Sequence, residues 1–214
     1  MKLFRHLAAL VCVGASFGAH AGNLLTNGSF ESGLAGWTIT GGGSDPVSVK
    51  NYGNSFYGET VLADSSVSLS PDAAGAKAIY FVDDVAYQTL TQTVTVATAG
   101  SYSVGFSTYA PANGWANAHD AAFSASIGGN TIFSSNISGM PITTWEAKSG
   151  LVNLTAGSHD ISFTFTPTGA AGKDLVIDRV YLVAAPVPEP ETYAMLLAGL
   201  GVLGWARRRQ SKSV

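Results

Sequence analysis

The chain has 214 residues, with 11 Lys and Arg against 14 Asp and Glu, for a formal net charge of −3. The charges are unevenly placed. Residues 22–185 hold five of the basic residues and twelve of the acidic ones, so that segment alone is close to −7. It offers no basic footprint for phosphates, which excludes nucleic acid as a partner. Its 164 residues make one domain and are enough to bury a core.

Lys2 and Arg5 precede an apolar run from Leu7 to Phe17, and Ala19-His20-Ala21 supplies small residues at the cleavage positions. Residues 1–21 therefore read as a secretory signal peptide, helical and cut after Ala21. Cys12, the single cysteine, lies inside it. Ala9-Leu10-Val11-Cys12 is a poor lipoprotein box, so plain cleavage is expected. The mature chain is then free of cysteine, and its stability must come from the core or from a metal.

From Gly22 onward strand signals dominate. Trp37–Thr40 is short and β-rich, and Gly41-Gly42-Gly43 closes it. Between Ser44 and Gly75 the chain is rich in Gly, Asn and Ser, with weak strands at Val47–Val49 and Val67–Leu69. Ala78–Val82 is a compact apolar run. Leu90 to Val96 alternates Leu and Val with Thr91, Thr93 and Thr95, which is the period of a strand. The threonine face of that strand is ordinary for an exposed strand and does not by itself point to ice. Tyr102, Val104 and Phe106 alternate again, as do Phe123, Ala125 and Ile127 ahead of a Gly128-Gly129 hairpin. Trp145–Leu154, then Ile161, Phe163 and Phe165, continue the pattern. Asp174–Val183 is nearly continuous in apolar residues, as expected of a strand buried on both faces.

Thr98–Phe106 and Thr155–Phe163 agree at five of nine positions, each opening Thr-Ala-Gly-Ser. They predict two hairpins with the same turn chemistry. Roughly ten strands with turns every 8–12 residues predict an all-β fold, a two-sheet antiparallel jelly-roll sandwich. Trp37 and Trp145 are expected in its core.

The tail has three blocks. Residues 186–192 form a Pro/Glu linker, residues 193–206 carry no charge, and residues 207–214 form a basic tail with Arg207, Arg208 and Arg209. As a helix the fourteen uncharged residues span about 21 Å, short of a hydrocarbon core of roughly 30 Å. The run suits a transient hydrophobic membrane helix with its arginines in the cytoplasm. The order Pro188-Glu189-Pro190, short helix, arginine cluster resembles the PEP-CTERM sorting signal. That resemblance implies an exported protein held briefly at the inner membrane, processed by an exosortase, and released to the cell surface or an exopolysaccharide matrix. The same motif is also catalogued as an ice-binding protein C-terminal domain, a label that carries no evidence of ice binding.

Asn23–Gly33, with Asn27-Gly28-Ser29-Phe30-Glu31 ahead of Gly36-Trp37, resembles the opening of galactose-binding-like jelly rolls, which include many carbohydrate-binding modules. Asp178-Arg179-Val180 resembles their last strand, which pairs with the first. The resemblance implies a structural calcium at Glu31 and Asp178; the residues read alone allow a turn cap at Glu31 and an ion pair at Asp178 with Arg179 or Lys173.

No motif supports catalysis. Gly53-Asn54-Ser55-Phe56-Tyr57-Gly58 is one residue too long for a nucleophile elbow, and the mature chain has two histidines, His119 and His159, without zinc-ligand spacing. Asp83 and Asp84 are adjacent and would face opposite sides of a strand. Tyr109, Trp115, His119 and Asp120, around the loop Ala110–Asp120, are the ligand-binding candidates, because sugar sites combine aromatic faces with polar side chains. Tyr52, Phe56 and Tyr57 form a second aromatic group. Capping the ends of a sandwich is the competing role for all these rings. The function expected is a non-catalytic carbohydrate-binding or matrix-interaction module, with a passive structural surface protein and a hydrolase as alternatives.

Overall fold

A computed structural model describes residues 22–42, 47–53, 55–56, 59–82, 87–186 and 190–210. In chain order these form β1 (Thr38–Gly41), β2 (Ser48–Asn51), β3 (Ser55–Phe56), β4 (Glu59–Thr60), β5 (Lys77–Phe81), β6 (Gln88–Val96), β7 (Gly100–Tyr109), α1 (Ala112–Trp115), β8 (Ala121–Ile127), β9 (Asn130–Asn136), a 3-10 turn (Ile137–Gly139), β10 (Glu146–Leu154), β11 (Gly157–Pro167), β12 (Leu175–Ala184) and α2 (Pro190–Gln210). Two five-stranded sheets result, in the orders β1-β6-β11-β8-β9 and β10-β7-β12-β5-β2, and every pairing within them is antiparallel. This is the predicted two-sheet sandwich. The signal peptide, the aspartates 83 and 84, and Pro188 and Glu189 lie outside the described residues.

The core forms where alternating strands of both sheets turn their apolar faces inward. Phe163 sits at its centre, with ring centroids 5.1 Å from Phe106, 6.1 Å from Phe123 and 6.1 Å from Trp37. Trp37 is in this core as expected. Trp145 is buried too, but in a second cluster with Tyr80, Tyr109 and Val176. These residues lie on the outer side of the second sheet, because Val176 pairs with Tyr80 and Tyr109 while its neighbour Ile177 points into the core.

The two Thr-Ala-Gly segments are not hairpins. The first carries the chain from β6 in one sheet to β7 in the other; the second carries it back from β10 to β11. β6 then pairs with β11 and β7 with β10, so the repeated wording marks two matching corners of the sandwich. The glycines meet the neighbouring corner: Gly157 pairs with Val96, and Gly100 with Leu154. The hairpin at Gly128-Gly129 forms as predicted, with φ of 54° and 80°, the left-handed pair that a type I′ turn needs. The weak strand expected at Val67–Leu69 does not form. That stretch is part of an extended strap, residues 61–70, with no ladder of its own.

The N-terminal segment closes against β12, as the jelly-roll resemblance implied. Leu24 N–H donates to the Leu182 carbonyl at 2.9 Å, and Val180 N–H to the Gly28 carbonyl at 2.9 Å. A Cβ at Gly28 would collide with the Val180 carbonyl oxygen, so only glycine permits this approach. Asn27 ties the turn together: its amide donates to the Gly33 carbonyl at 2.9 Å and its side-chain oxygen accepts from Ser32 N–H at 3.0 Å. This turn drives Phe30, wholly buried, against Trp37 at 5.4 Å.

Phe163→Ala should lower the unfolding free energy by about 3–5 kcal/mol, the cost of a large core cavity. Urea denaturation would show it as a lower midpoint at an unchanged slope. Gly28→Ala should cost about 1–3 kcal/mol by forcing the first segment off β12; a melting temperature equal to wild type would contradict that account.

Candidate functional site

The outer face of the second sheet has an aromatic floor. Tyr109 ends β7 and packs against Trp145 at 5.2 Å; Tyr52, just past β2, meets Trp145 edge-on at 6.0 Å. Tyr80 on β5 donates its hydroxyl to the Asp174 carboxylate at 2.8 Å. The strap, residues 61–70, anchors to this floor. Trp145 Nε1–H donates to the Leu62 carbonyl at 2.8 Å, and Gly53 N–H to the Val61 carbonyl at 2.9 Å.

Beside the floor, strand β12 carries Asp178 and Arg179. A bulge here places Arg179 at φ 51°, and the register shifts between Asp178 and Tyr181. Asp178 is fully buried. Its Oδ2 accepts from the Tyr52 hydroxyl at 2.5 Å and its Oδ1 from Arg179 N–H at 2.6 Å. Arg179 Nη1 donates to the Ser66 carbonyl at 3.2 Å and stands 3.9 Å from Asp64 Oδ2. Ser66 Oγ meets Ser107 Oγ at 2.8 Å, and Ser66 N–H caps Asp64 Oδ1 at 2.7 Å. Burial pushes the Asp178 carboxyl up to about 8. The Tyr52 and Arg179 hydrogen bonds oppose the rise, the nearby Asp64 charge adds to it, and the Arg179 charge opposes it again. Burial first, and then the Asp178 charge, also raise the Tyr52 phenol.

The calcium residues are held by separate partners. Glu31 Oε1 accepts from Ala76 N–H and Lys77 N–H, both at 2.8 Å, at the start of β5. Glu31 and Asp178 each accept hydrogen bonds from their own N–H or O–H donors. Among the described residues no group of three or more His, Cys, Asp or Glu could hold a metal ion.

The four ligand-binding candidates do not converge. Tyr109 is 2% exposed and belongs to the floor. Trp115, in α1, packs on the main core, and the Lys173 ammonium sits 4.2 Å from its ring centroid, closing one face. Lys173 Nζ also donates to the Trp115 carbonyl, and to Asn117 O at 3.2 Å. The Trp115 indole N–H is buried without an acceptor. His119 is exposed, its backbone bridged to Gly172. Asp120 braces the loop, its Oδ2 accepting from the Ser138 hydroxyl at 2.5 Å and its Oδ1 from Ser138 and Ala121 N–H at 3.0 and 2.9 Å. Partial burial works against its charge, yet these bonds hold the carboxyl below its usual range. Asp64 and Ser66 escaped the sequence because no local motif marks a residue that a strap carries into place. The Asp178-Arg179 pair was the one usable signal. On the opposite sheet, the threonines of β6 do face outward, with Thr91 3.2 Å from Ser162 and Thr89 3.4 Å from Thr164 on β11.

Helix α2 begins at Pro190, the second proline of the triplet, where a missing N–H costs nothing. It runs through Arg207, Arg208 and Arg209, so it is longer than the uncharged run at both ends. Its described apolar side chains, Met195 to Trp205, are exposed. Among the described residues no helix is both long enough and apolar enough to cross a membrane. The uncharged run 193–206 lies within α2.

With a folded value near 8 and an ordinary carboxylate value near 4 when unfolded, Asp178 binds the extra proton in the folded state between those pH values. Its contribution to stability is complete below about pH 4 and falls as pH rises toward 8. In calcium-free buffer, the melting temperature of Asp178→Asn relative to wild type should therefore climb steadily from pH 5 to pH 8. A constant difference would refute the assignment.

The tail, residues 186–210, matches the PEP-CTERM protein-sorting motif. Among solved structures, TmCBM61, in complex with β-1,4-galactotriose, aligns over 76% of this chain and 99% of its own, at TM-score 0.50 and 24% identity. A family 35 carbohydrate binding module from Clostridium thermocellum aligns over 72% of this chain and 95% of its own, at TM-score 0.40 and 13% identity. A family 16 carbohydrate binding module aligns over 75% and 99%, at TM-score 0.42 and 18% identity. No curated protein matches the chain. The chain thus carries a PEP-CTERM sorting motif behind a β-sandwich whose structural neighbours include carbohydrate-binding modules.

Proposed function

We propose that this is an exported, non-catalytic carbohydrate-binding protein, delivered by its PEP-CTERM tail to the cell surface or an exopolysaccharide matrix. The observation that carries the reading is the fold: the sandwich aligns over nearly the whole of a module solved with a galactotriose. An aromatic floor bordered by Ser107, Asp174 and Arg179 adds the chemistry, because rings stack on the apolar faces of sugars while polar groups bind hydroxyls. The tail supports export and processing by an exosortase, with the inner membrane as a transient station.

One observation favours the second reading, a passive surface protein. Tyr109, Tyr80 and Trp145 are all buried and Tyr52 is half-buried, so the floor presents little ring surface.

The deciding measurement is retention on a broad neutral glycan panel that includes β-1,4-galactan. Wild type should be retained, and Tyr109→Ala and Trp145→Ala should each weaken retention about tenfold or more, the usual cost of losing an aromatic anchor. Thr95→Ala, exposed on the opposite sheet, should bind like wild type. Retention by no glycan would leave the passive reading standing. For the tail, mass spectrometry of the mature protein should find an end before Val214; a chain still ending there would contradict the sorting reading.

A further inference from the structure

The strap is built inside out. Its residues alternate, but polar Asp64 and Ser66 turn toward the sheet while Val67 and Leu69 turn to solvent, 92% and 67% exposed, with Leu62 at 61%. Of its side chains only Val61 is buried among the rings. The strap is therefore not pinned by apolar burial. Its hold is a short set of polar contacts: Trp145 to Leu62, Gly53 to Val61, Ser66 to Ser107, and Arg179 to Ser66 and Asp64. Contacts of this kind exchange with water or with another hydroxyl at small net cost.

The closed strap also leaves polar atoms unsatisfied. Asp64 Oδ2, Arg179 Nε and the Tyr181 hydroxyl are buried without a hydrogen-bond partner, and the Asp64 side chain is wholly enclosed. Tyr181 stands over Gly105, two residues along β7 from the Ser107 that holds the strap. Buried polar groups are nearly always paired, so such a cluster calls for a partner that both donates and accepts. Arg179 adds a strained backbone, a non-glycine residue at φ 51° whose guanidinium is aimed at the strap.

We propose that the strap, residues 61–70, is a lid: it lifts from the second sheet to admit a neutral glycan onto Tyr52, Tyr109 and Trp145, and recloses over it. The glycan's hydroxyls then serve Arg179 Nε and the Tyr181 hydroxyl from below and Asp64 Oδ2 from above. The Asp64 carboxylate beside the guanidinium, in a domain with excess negative charge, selects against acidic sugars. The lid reconciles a buried aromatic floor with sugar binding. It rests on the carbohydrate-binding reading and assigns the site that reading uses.

The test is a staple. Ser66→Cys with Ser107→Cys, in the full chain with Cys12→Ser, places two thiols where the hydroxyls now stand 2.8 Å apart. Association with β-1,4-galactotriose, and with a panel of other neutral oligosaccharides, is measured oxidised and then reduced. Oxidation should slow association about tenfold or more, and dithiothreitol should restore it. Equal rates in both states, in a protein that binds, would overturn the lid alone. Binding of no sugar by wild type would overturn the carbohydrate reading and the lid with it. If the stapled variant fails to fold, Arg179→Gly keeps the left-handed backbone and removes the clamp. It should then associate several-fold faster than wild type, whatever its dissociation rate; an unchanged rate would sink the lid.

Discussion

Strand β12 has water on neither side, and the rest of the domain follows from that constraint. Its inward residues, Leu175, Ile177, Val180 and Leu182, complete the core between the sheets. Its outward residues, Val176, Asp178 and Tyr181, are equally buried, so a second cover is needed outside the sheet. The cover is the strap together with Tyr52. A sandwich whose outer sheet faces were both solvated would need neither. The cost of the cover is polar: Asp178 and Arg179 lie under it and must be satisfied there by Tyr52, Ser66 and Asp64.

The two sheets therefore differ in what they present. The first offers solvent a plain hydroxyl surface, with threonines of β6 opposite serines and threonines of β11. The second holds its aromatic rings and its charged groups beneath ten residues of extended chain. Chemistry able to recognise a ligand is thus concentrated on one side of the molecule, and it is the side that is closed. The bulge at Arg179 shapes this covered face. It interrupts the ladder of the most buried strand and turns a guanidinium toward the strap.

The tail obeys separate rules. Its described apolar side chains, Met195 to Trp205, are exposed and not packed into the core of the sandwich. A segment of this kind is written for a lipid or enzyme environment and not for the domain beside it. The join is short, from β12 ending at Ala184 to α2 beginning at Pro190.

The amino-acid sequence by itself determined most of the strands, the glycine hairpin and the sorting tail, while the pairing of the first segment with the last strand came from the jelly-roll resemblance. Each is a local pattern or a motif, and local patterns survive without tertiary context: alternation of period two, left-handed glycines, a fixed order of triplet and arginines. Tertiary structure decided everything that depends on which sheet a strand joins. Thr98-Ala99-Gly100 and Thr155-Ala156-Gly157 read as hairpin turns because a tight turn has the same chemistry whether the chain returns beside itself or crosses to the facing sheet. Tyr109 and Trp145 read as loop and core residues, yet they share the outer floor, because alternation shows that a residue lies on one face and not which face is covered. Asp64 carried no signal at all, and Arg179 only its place beside Asp178. They meet across 115 residues of sequence only because a strap and a bulge bring them within 3.9 Å.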